Sequence, residues 1–253
     1  MLEVERSVAE QVVELDGMTA LLDPSLPDHW DASYLIVERP GIAVEAVLAA
    51  ADEAIGGAGL RHRTIAVFDG DDGERLAPGL EARGFKIERG VYMIDRGEPD
   101  RPASAEIEVE EVGLDDLAVT RREFHRIGLA EEMGEQWVTE DVLDQFIARD
   151  AKFGEAFGDR WFVARENGEV ASFCRLLAAE GLGQVEDVGT LPAARNRGLA
   201  RAVMLAAVEA SRAQDDEITF LCALADDWPR KLYARLGFEP FGREVCFYRD
   251  PED

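Results

Sequence analysis

The sequence predicts an α+β fold built from two tandem units, and three observations carry that reading. Short apolar-alternating runs interleave with stretches of helical spacing along the chain. Glu81-Ala82-Arg83-Gly84-Phe85 near the middle is echoed by Ala234-Arg235-Leu236-Gly237-Phe238 near the end, at an offset of 237 − 84 = 153 that holds without a gap over about thirty positions. Between the copies, residues 97–105 hold two prolines, a glycine and little apolar content, the best linker in the chain. The division expected is residues 1–98, a linker at 99–105, and residues 106–253.

In order, residues 5–22 place Val8, Val12, Val13 and Leu15 among charged positions and predict a helix closing before Asp23-Pro24. Residues 34–37 are a short apolar run, hence a strand, ahead of Pro40. Residues 43–55 are alanine-rich and predict a helix ended by Gly56-Gly57. Residues 64–68 read as a buried strand, and Asp69 to Gly73 turns into a helix through Leu76, Leu80 and Ala82. Gly84-Phe85 stops that helix before a strand at 91–94.

After the linker, Ile107 to Val109 alternates like a strand, and helices are expected over 114–127 and 139–151, the latter capped by Thr139. Residues 161–164 and 170–177 are strands joined through Asn167-Gly168, a hairpin signal because both turn positions favour φ > 0. A strand with Val185, Val188 and Thr190 follows and is ended by Pro192, which lacks the ladder N–H. Leu199, Val203, Ala206, Ala207 and Ala210 then recur at helical spacing. A strand over 218–224, a helix over 229–236 and a strand over 245–248 complete the chain.

The polar turn Arg195-Asn196-Arg197-Gly198 between strand and helix makes a phosphate-binding device. The first N–H groups of a helix lack internal partners and sit at the positive end of its dipole. Gly198 has no Cβ to hold a ligand away, and Arg195, Arg197 and Arg201 add charge in a segment without an acidic residue. Neither Gly-Lys-Ser/Thr nor G-x-G-x-x-G is present, so triphosphate and dinucleotide loops are not indicated.

The order R-x-x-G-x-A, preceded by Thr190-Leu191-Pro192, resembles the acyl-CoA-binding motif of the GNAT superfamily of N-acyltransferases. Trp228 to Phe238, with its L-Y-x-x-L-G-F ending, is similar to the family's second hallmark, so the resemblance covers roughly residues 106–249. It implies a mixed, mostly antiparallel sheet flanked by helices, and acetyl-CoA as acyl donor. It implies that Arg195, Asn196, Arg197, Gly198, Leu199, Ala200 and Arg201 receive the pyrophosphate, and that Val188, Gly189 and Thr190 meet the acetyl carbonyl and pantetheine through their backbone. Asp226 stands where many members have an asparagine, and Pro229 where a small residue is usual, which weakens that one contact.

Tyr233 occupies the position of the family's general acid. A phenol of pKa about 10 stays protonated at neutral pH and can supply the proton that a departing thiolate takes; the competing reading is a packing tyrosine. For the general base Glu186 is favoured, since alternation puts it on the strand face of Val188 and Thr190, with Asp187 on the other; an ion-pairing carboxylate is the alternative. His125, on a helix with Arg121, Arg122 and Arg126, either lines an acceptor cleft or belongs to a solvated basic face. In the first unit, 195 − 153 and 198 − 153 give Ile42 and Glu45, and Leu80 stands for Tyr233. That unit is therefore expected to be degenerate, shaping the acceptor pocket or forming a homodimer contact. The activity implied is direct acetyl transfer to a primary amine of a small-molecule or peptide acceptor; a non-catalytic acyl-CoA-binding or regulatory module is the alternative, and a longer acyl group a further one.

Composition agrees. The chain of 253 residues is 47% hydrophobic, enough for a real core, although 53 acidic residues stand against 27 basic ones. A net charge of −26 argues against nucleic acid or anionic membrane and suits a cationic amine, or solubility alone. Cys174, Cys222 and Cys246 lie in apolar runs without a CxxC pair, which points to a reducing cytoplasm. His29, His62 and His125 are too scattered for a zinc site. The N-terminus has no signal-peptide pattern, and no run approaches the ~20 apolar residues of a membrane span.

Overall fold

In the computed structural model, residues 2–250 are described. The chain forms two compact units, and each is assembled from non-contiguous segments. Residues from Leu2 to Tyr92 are joined by Ala223–Asp227 and by residues from Phe241 onward; Met93–Cys222 and Trp228–Pro240 make up the other unit.

The first unit begins with helix α1 (Leu2–Val8) and strands β1 (Gln11–Leu15) and β2 (Met18–Leu22). The single helix expected over 5–22 is thus corrected: only its start is helical. Asp16-Gly17 turns the chain with Gly17 at φ +74°, pairing Leu15 with Met18, and Asp-Gly between β-branched runs is a hairpin signal that outweighs the helical spacing. Arg39 holds the turn through Asp16 at 2.6 Å. Next come β3 (Tyr34–Val37), α2 (Val44–Ala51, continued by one wide turn), β4 (Arg63–Val67), α3 (Gly70–Glu81) and β5 (Lys86–Asp95). Asp69 caps α3 by accepting from the amides of Asp71 and Asp72. Strands β1-β2-β3 are antiparallel, β3 and β4 parallel. A core of Leu35, Ile65, Val47, Leu76, Leu80 and Phe85 lies between this sheet and α2 and α3.

The second unit carries β6 (Val109–Val112), α4 (Leu114–Glu132), α5 (Glu140–Phe157), β7 (Arg160–Glu166), β8 (Glu169–Ala179), β9 (Leu182–Thr190), α6 (Leu199–Ala213), β10 (Ile218–Leu224) and α7 (Pro229–Arg235). Thr139 caps α5 through Val142 N at 3.2 Å, and Asn167 and Gly168 turn β7 into β8 at φ +53° and +86°. The strand order is β10-β9-β8-β7-β6, antiparallel except for β9 with β10. α6 covers one face, where Cys174 Sγ donates to Val203 O and Gly183 allows Ser211 close approach. α4 covers the other through Leu117, Trp161, Val163 and Phe173.

β11 (Phe238–Arg249) ends the described chain and is longer than the strand expected over 245–248. Its second half pairs with β4, Val245 opposite Val67 through Arg249 opposite Arg63, and Val245 and Phe247 fill the first unit's core. The repeat is visible as topology. β1-β2-β3-β4 and β7-β8-β9-β10 run through the same succession of two antiparallel pairs and one parallel pair, and Gly84 and Gly237 both adopt positive φ at equivalent positions.

Candidate functional site

β9 and β10 start as partners and then separate. Leu182, Gly183 and Gln184 pair with Ile218, Thr219 and Phe220, but β9 runs on to Thr190 and β10 to Leu224 without further register. The reason lies on the other edge of β9. Phe173 stands opposite Gly189 and Arg175 opposite Glu186, so β9 carries one residue more than β8 over the same stretch. Asp187, in the middle, has φ +52°. Such a bulge bends its strand and re-aims side chains, and here it turns β9 away from β10 to leave a wedge.

The bulge corrects the expectation for Glu186. Cross-strand partners share a face. Glu186 pairs with Arg175, on the α4 face, whereas the Thr190 hydroxyl meets Ser172 Oγ at 2.9 Å, two residues from Cys174 under α6. Strict alternation would unite them; the extra residue separates them, and Asp187 joins Glu186 on the α4 face. Glu186 is half-buried and bonded by the Gln184 amide. Gly189 has no alternative residue, since a Cβ there would lie 2.4 Å from the Phe173 ring.

Beyond Thr190, one short turn of Pro192–Ala194 leads to Arg195-Asn196-Arg197-Gly198, all exposed. Asn196 (φ +65°) and Gly198 (φ +86°) take left-handed conformations, and Gly198 is the N-cap of α6 with no side chain over the helix end. Leu199 is buried and anchors the first turn, with Ala200 half-exposed beside it. The arginines are less free than the sequence suggests. Arg197 pairs with Glu166 from the β7–β8 hairpin at 2.8 Å, and Arg195 donates to Thr190 O at 3.3 Å. Arg201 is 5% exposed and held by Asp100 at 2.8 Å and by Arg101 O at 2.9 Å. Its expected phosphate role is corrected to that of a strut for the linker, supplied with the acid that its own segment lacks.

Tyr233 is buried on α7, and Leu236 and Phe238 of the same hallmark are buried as well. Gly237, at φ +102°, lets the linker pass: a Cβ would meet Gly97 O at 2.8 Å. Asp226 is exposed in the turn after β10, next to Ala225, whose amide donates to Arg89 O at 2.7 Å. Burial raises the Cys174 thiol far above its ordinary pKa and leaves it no thiolate nucleophile. Among the described residues no group of His, Cys, Asp and Glu is placed to hold a metal, and no helix is long and apolar enough to cross a membrane.

A family model described as acetyltransferase (GNAT) domain matches residues 157–240, which span the bulge, the glycine-capped turn and the tyrosine helix. Residues 157–240 are thus matched to a GNAT domain. The chain is 29% identical over 160 residues to mycothiol acetyltransferase of Streptomyces griseus subsp. griseus, which covers 60% of this chain and only 49% of that protein, so the match spans about half the relative's length. In fold it is similar to a GCN5-related N-acetyltransferase from Kribbella flavida, with a TM-score of 0.68, 18% identity and coverage of 98% of this chain and 91% of that one. It is also similar to a tandem GNAT protein from the clavulanic acid biosynthesis pathway, with a TM-score of 0.56, 17% identity and coverage of 92% and 78%.

The first unit departs from the second at the corresponding positions, in geometry as well as in sequence. β2 and β3 pair in unbroken register from Met18–Val37 to Leu21–Tyr34, with no bulge to open a wedge. Ile42 is buried where the second unit has Arg195, and Glu45, in place of Gly198, is paired with Arg83 at 2.6 Å.

Sequence reasoning missed a cluster beneath the GNAT bulge. Arg121, read as part of a basic helix face with His125, is 1% exposed and grips Asp150 through two bonds of 2.9 and 2.8 Å. The same guanidinium reaches Asp187 at 3.1 Å, and Arg175 is held by Asp159 at 2.9 Å. His125 Nε2 lies 3.4 Å from Asp150, so the histidine faces this cluster instead of solvent. Burial by itself would raise the Asp150 carboxyl, but the bond from His125 and the charge and bonds of Arg121 outweigh it and hold it well below the usual carboxylate range. The signal that could have found the cluster is Arg175, a charge inside the apolar run of β8.

Proposed function

We propose that the chain is an N-acetyltransferase that takes acetyl-CoA as donor and moves the acetyl group to a primary amine of a small molecule or peptide. The observation that supports this best is the wedge between β9 and β10 lying just ahead of the uncapped, glycine-led N-terminus of α6. The donor's diphosphate would rest on the amides after Gly198, where the space a Cβ would occupy has only Ile107 Cδ1 within 3.7 Å. Arg195 and Arg197 would add charge by turning from their present partners; the pantetheine arm would enter the wedge along Val188, Gly189 and Thr190. Backbone N–H groups there would stabilise the negative charge that develops on the acyl oxygen as the amine attacks. Glu186, directly or through water, takes the amine's proton, and Tyr233 gives a proton to the departing thiolate. No covalent enzyme intermediate is formed. Asp226 is the weakest of the assigned donor contacts.

In this reading residues 1–98 carry the degenerate GNAT-like unit, 99–105 are the linker, and 106–253 carry the catalytic GNAT domain, except that Ala223–Asp227 and the chain from Phe241 onward fold with the first unit. Cys174, Cys222 and Cys246 are not in disulfides, which suits a cytoplasmic setting. The test follows free thiol release from acetyl-CoA with a panel of amines, polyamines and amino-acid amides, beside thermal stabilisation by coenzyme A. Turnover with one acceptor class is expected. Stabilisation without turnover across a broad panel replaces the enzyme with a binding module, and the absence of both stabilisation and turnover makes the donor site untenable.

A further inference from the structure

We infer that Arg121 is a positioning residue which acts through Asp187 to hold open the wedge between β9 and β10; the inference rests on the donor site proposed above. Asp187 follows the last β9–β10 pair, Gln184 with Phe220, by three residues and lies inside the register skip against β8. Whatever fixes Asp187 therefore fixes where β9 leaves β10. Its φ of +52° belongs to the left-handed region, which aspartate tolerates better than most non-glycine residues but which a partner for its side chain would hold more firmly.

Two arginines supply that partner. Asp187 Oδ1 lies 3.1 Å from Arg121 Nη2, and Oδ2 lies 3.7 Å from Arg175 Nη1. Arg121 cannot yield: it is 1% exposed, doubly bonded to Asp150, and its guanidinium carbon sits 5.0 Å from the Trp161 ring and 5.4 Å from the Phe173 ring. Arg175 is pinned by Asp159 and by Asp150 O at 2.8 Å. Arg121 and Arg175 make their shorter bonds to Asp150 and Asp159, with His125 also against Asp150, and Asp187 is the third carboxylate that they reach. Buried ion pairs are a poor source of stability compared with apolar packing. The contribution of Asp187 is location.

Asp187→Gly removes the carboxylate and accepts the torsion freely; Asp187→Val removes the same charge and resists the torsion. The KM for acetyl-CoA is expected to be about tenfold higher in Asp187→Val than in Asp187→Gly, with the acceptor KM of the two within about twofold. Arg121→Met is measured in both the wild-type and the Asp187→Gly background. It is expected to raise donor KM at least about fivefold in the first and less than about twofold in the second, where no grip remains to be broken, whereas a general loss of stability would act in both alike. Hydrogen exchange of amides 186–190 without ligand reads the grip independently of the donor: Arg121→Met accelerates it in the wild-type background only. Equal donor KM for the Gly and Val variants overturns the inference, as does an Arg121→Met effect of the same size in both backgrounds. If Arg121→Met does not fold, the Gly and Val pair decides. Failure of coenzyme A to stabilise the wild type defeats the donor site instead and leaves the exchange result standing.

Discussion

His62 should make the protein acid-sensitive by an amount that the structure allows to be worked out. The imidazole is fully buried in the first unit, stacked on Trp30 at 5.7 Å, with Nδ1 3.1 Å from Thr64 Oγ1 and Nε2 facing no hydrogen-bond partner. Burial, reinforced by the charge of Arg63 and only partly opposed by Asp28, lowers its pKa from 6.5 to about 4. In the unfolded chain the group titrates near 6.5. The sign follows: on acidification the unfolded chain takes up the proton first, so stability is fully present above about pH 6.5, is lost as pH falls toward 4, and changes no further below it. A full shift of about 2.5 pKa units corresponds to roughly 3 kcal/mol, of which about 2.5 kcal/mol is lost by pH 4.5. Urea unfolding of wild type and His62→Gln at pH 7 and 4.5 isolates this term, because the many carboxylates contribute equally to both proteins. The variant is expected to be less stable at pH 7 yet to lose about 2.5 kcal/mol less on going to pH 4.5. Parallel pH dependence of the two would mean that His62 is charged or solvated in the folded state, and would refute the argument.

Three further outcomes follow from the geometry. Gly198→Glu should abolish stabilisation by coenzyme A in a thermal-shift titration while leaving the apo melting temperature within a few degrees, since it places a strained torsion and a negative charge at an exposed helix start. Tyr233→Phe should lower kcat by about 10²-fold with the donor KM held within about threefold, and unchanged turnover retires the general-acid role. Gly189→Ala should cost about 1–3 kcal/mol in urea unfolding, because its methyl group would lie 2.4 Å from the buried Phe173 ring.

Much of this was legible in the sequence because it is local. Asn167-Gly168, Thr139 and the boundaries 218–224 depend on neighbours within a few residues, and the structure reproduces them. The repeat was legible because Gly84 and Gly237 both serve positive φ after a helix, a demand that survives divergence. What escaped was non-local. The side of β9 on which Glu186 lies depends on one extra residue against β8, and no alternation rule contains that residue. Arg201 read as a phosphate ligand because its segment has no acid; the acid, Asp100, arrives from about a hundred residues away. Arg121 read as solvated because helix spacing grouped it with Arg122 and Arg126, both of which do pair at the surface with Glu140. The Asp16-Gly17 hairpin is the exception, a local signal inside a stretch whose spacing alone predicts a helix.

The two units differ at the features on which the proposed donor site rests. Both copies have a strand, a parallel partner and an intervening helix, so topology alone offers the same crevice twice. In the first copy β2 and β3 stay in register, and a buried Ile42 and a Glu45 paired with Arg83 occupy the positions of the phosphate turn. A carboxylate in place of Gly198 would repel a diphosphate, and unbroken register leaves no bend to part the strands. In the second copy two left-handed residues do the opposite work: Gly198 bares the amides of α6, and Asp187 parts β9 from β10. Glycine adopts its torsion freely, while the aspartate side chain is paired with the buried Arg121. Restoring only the glycine to the first unit, as Glu45→Gly, should therefore create no second site: coenzyme A titrated calorimetrically into that variant should still bind with a stoichiometry of one per chain.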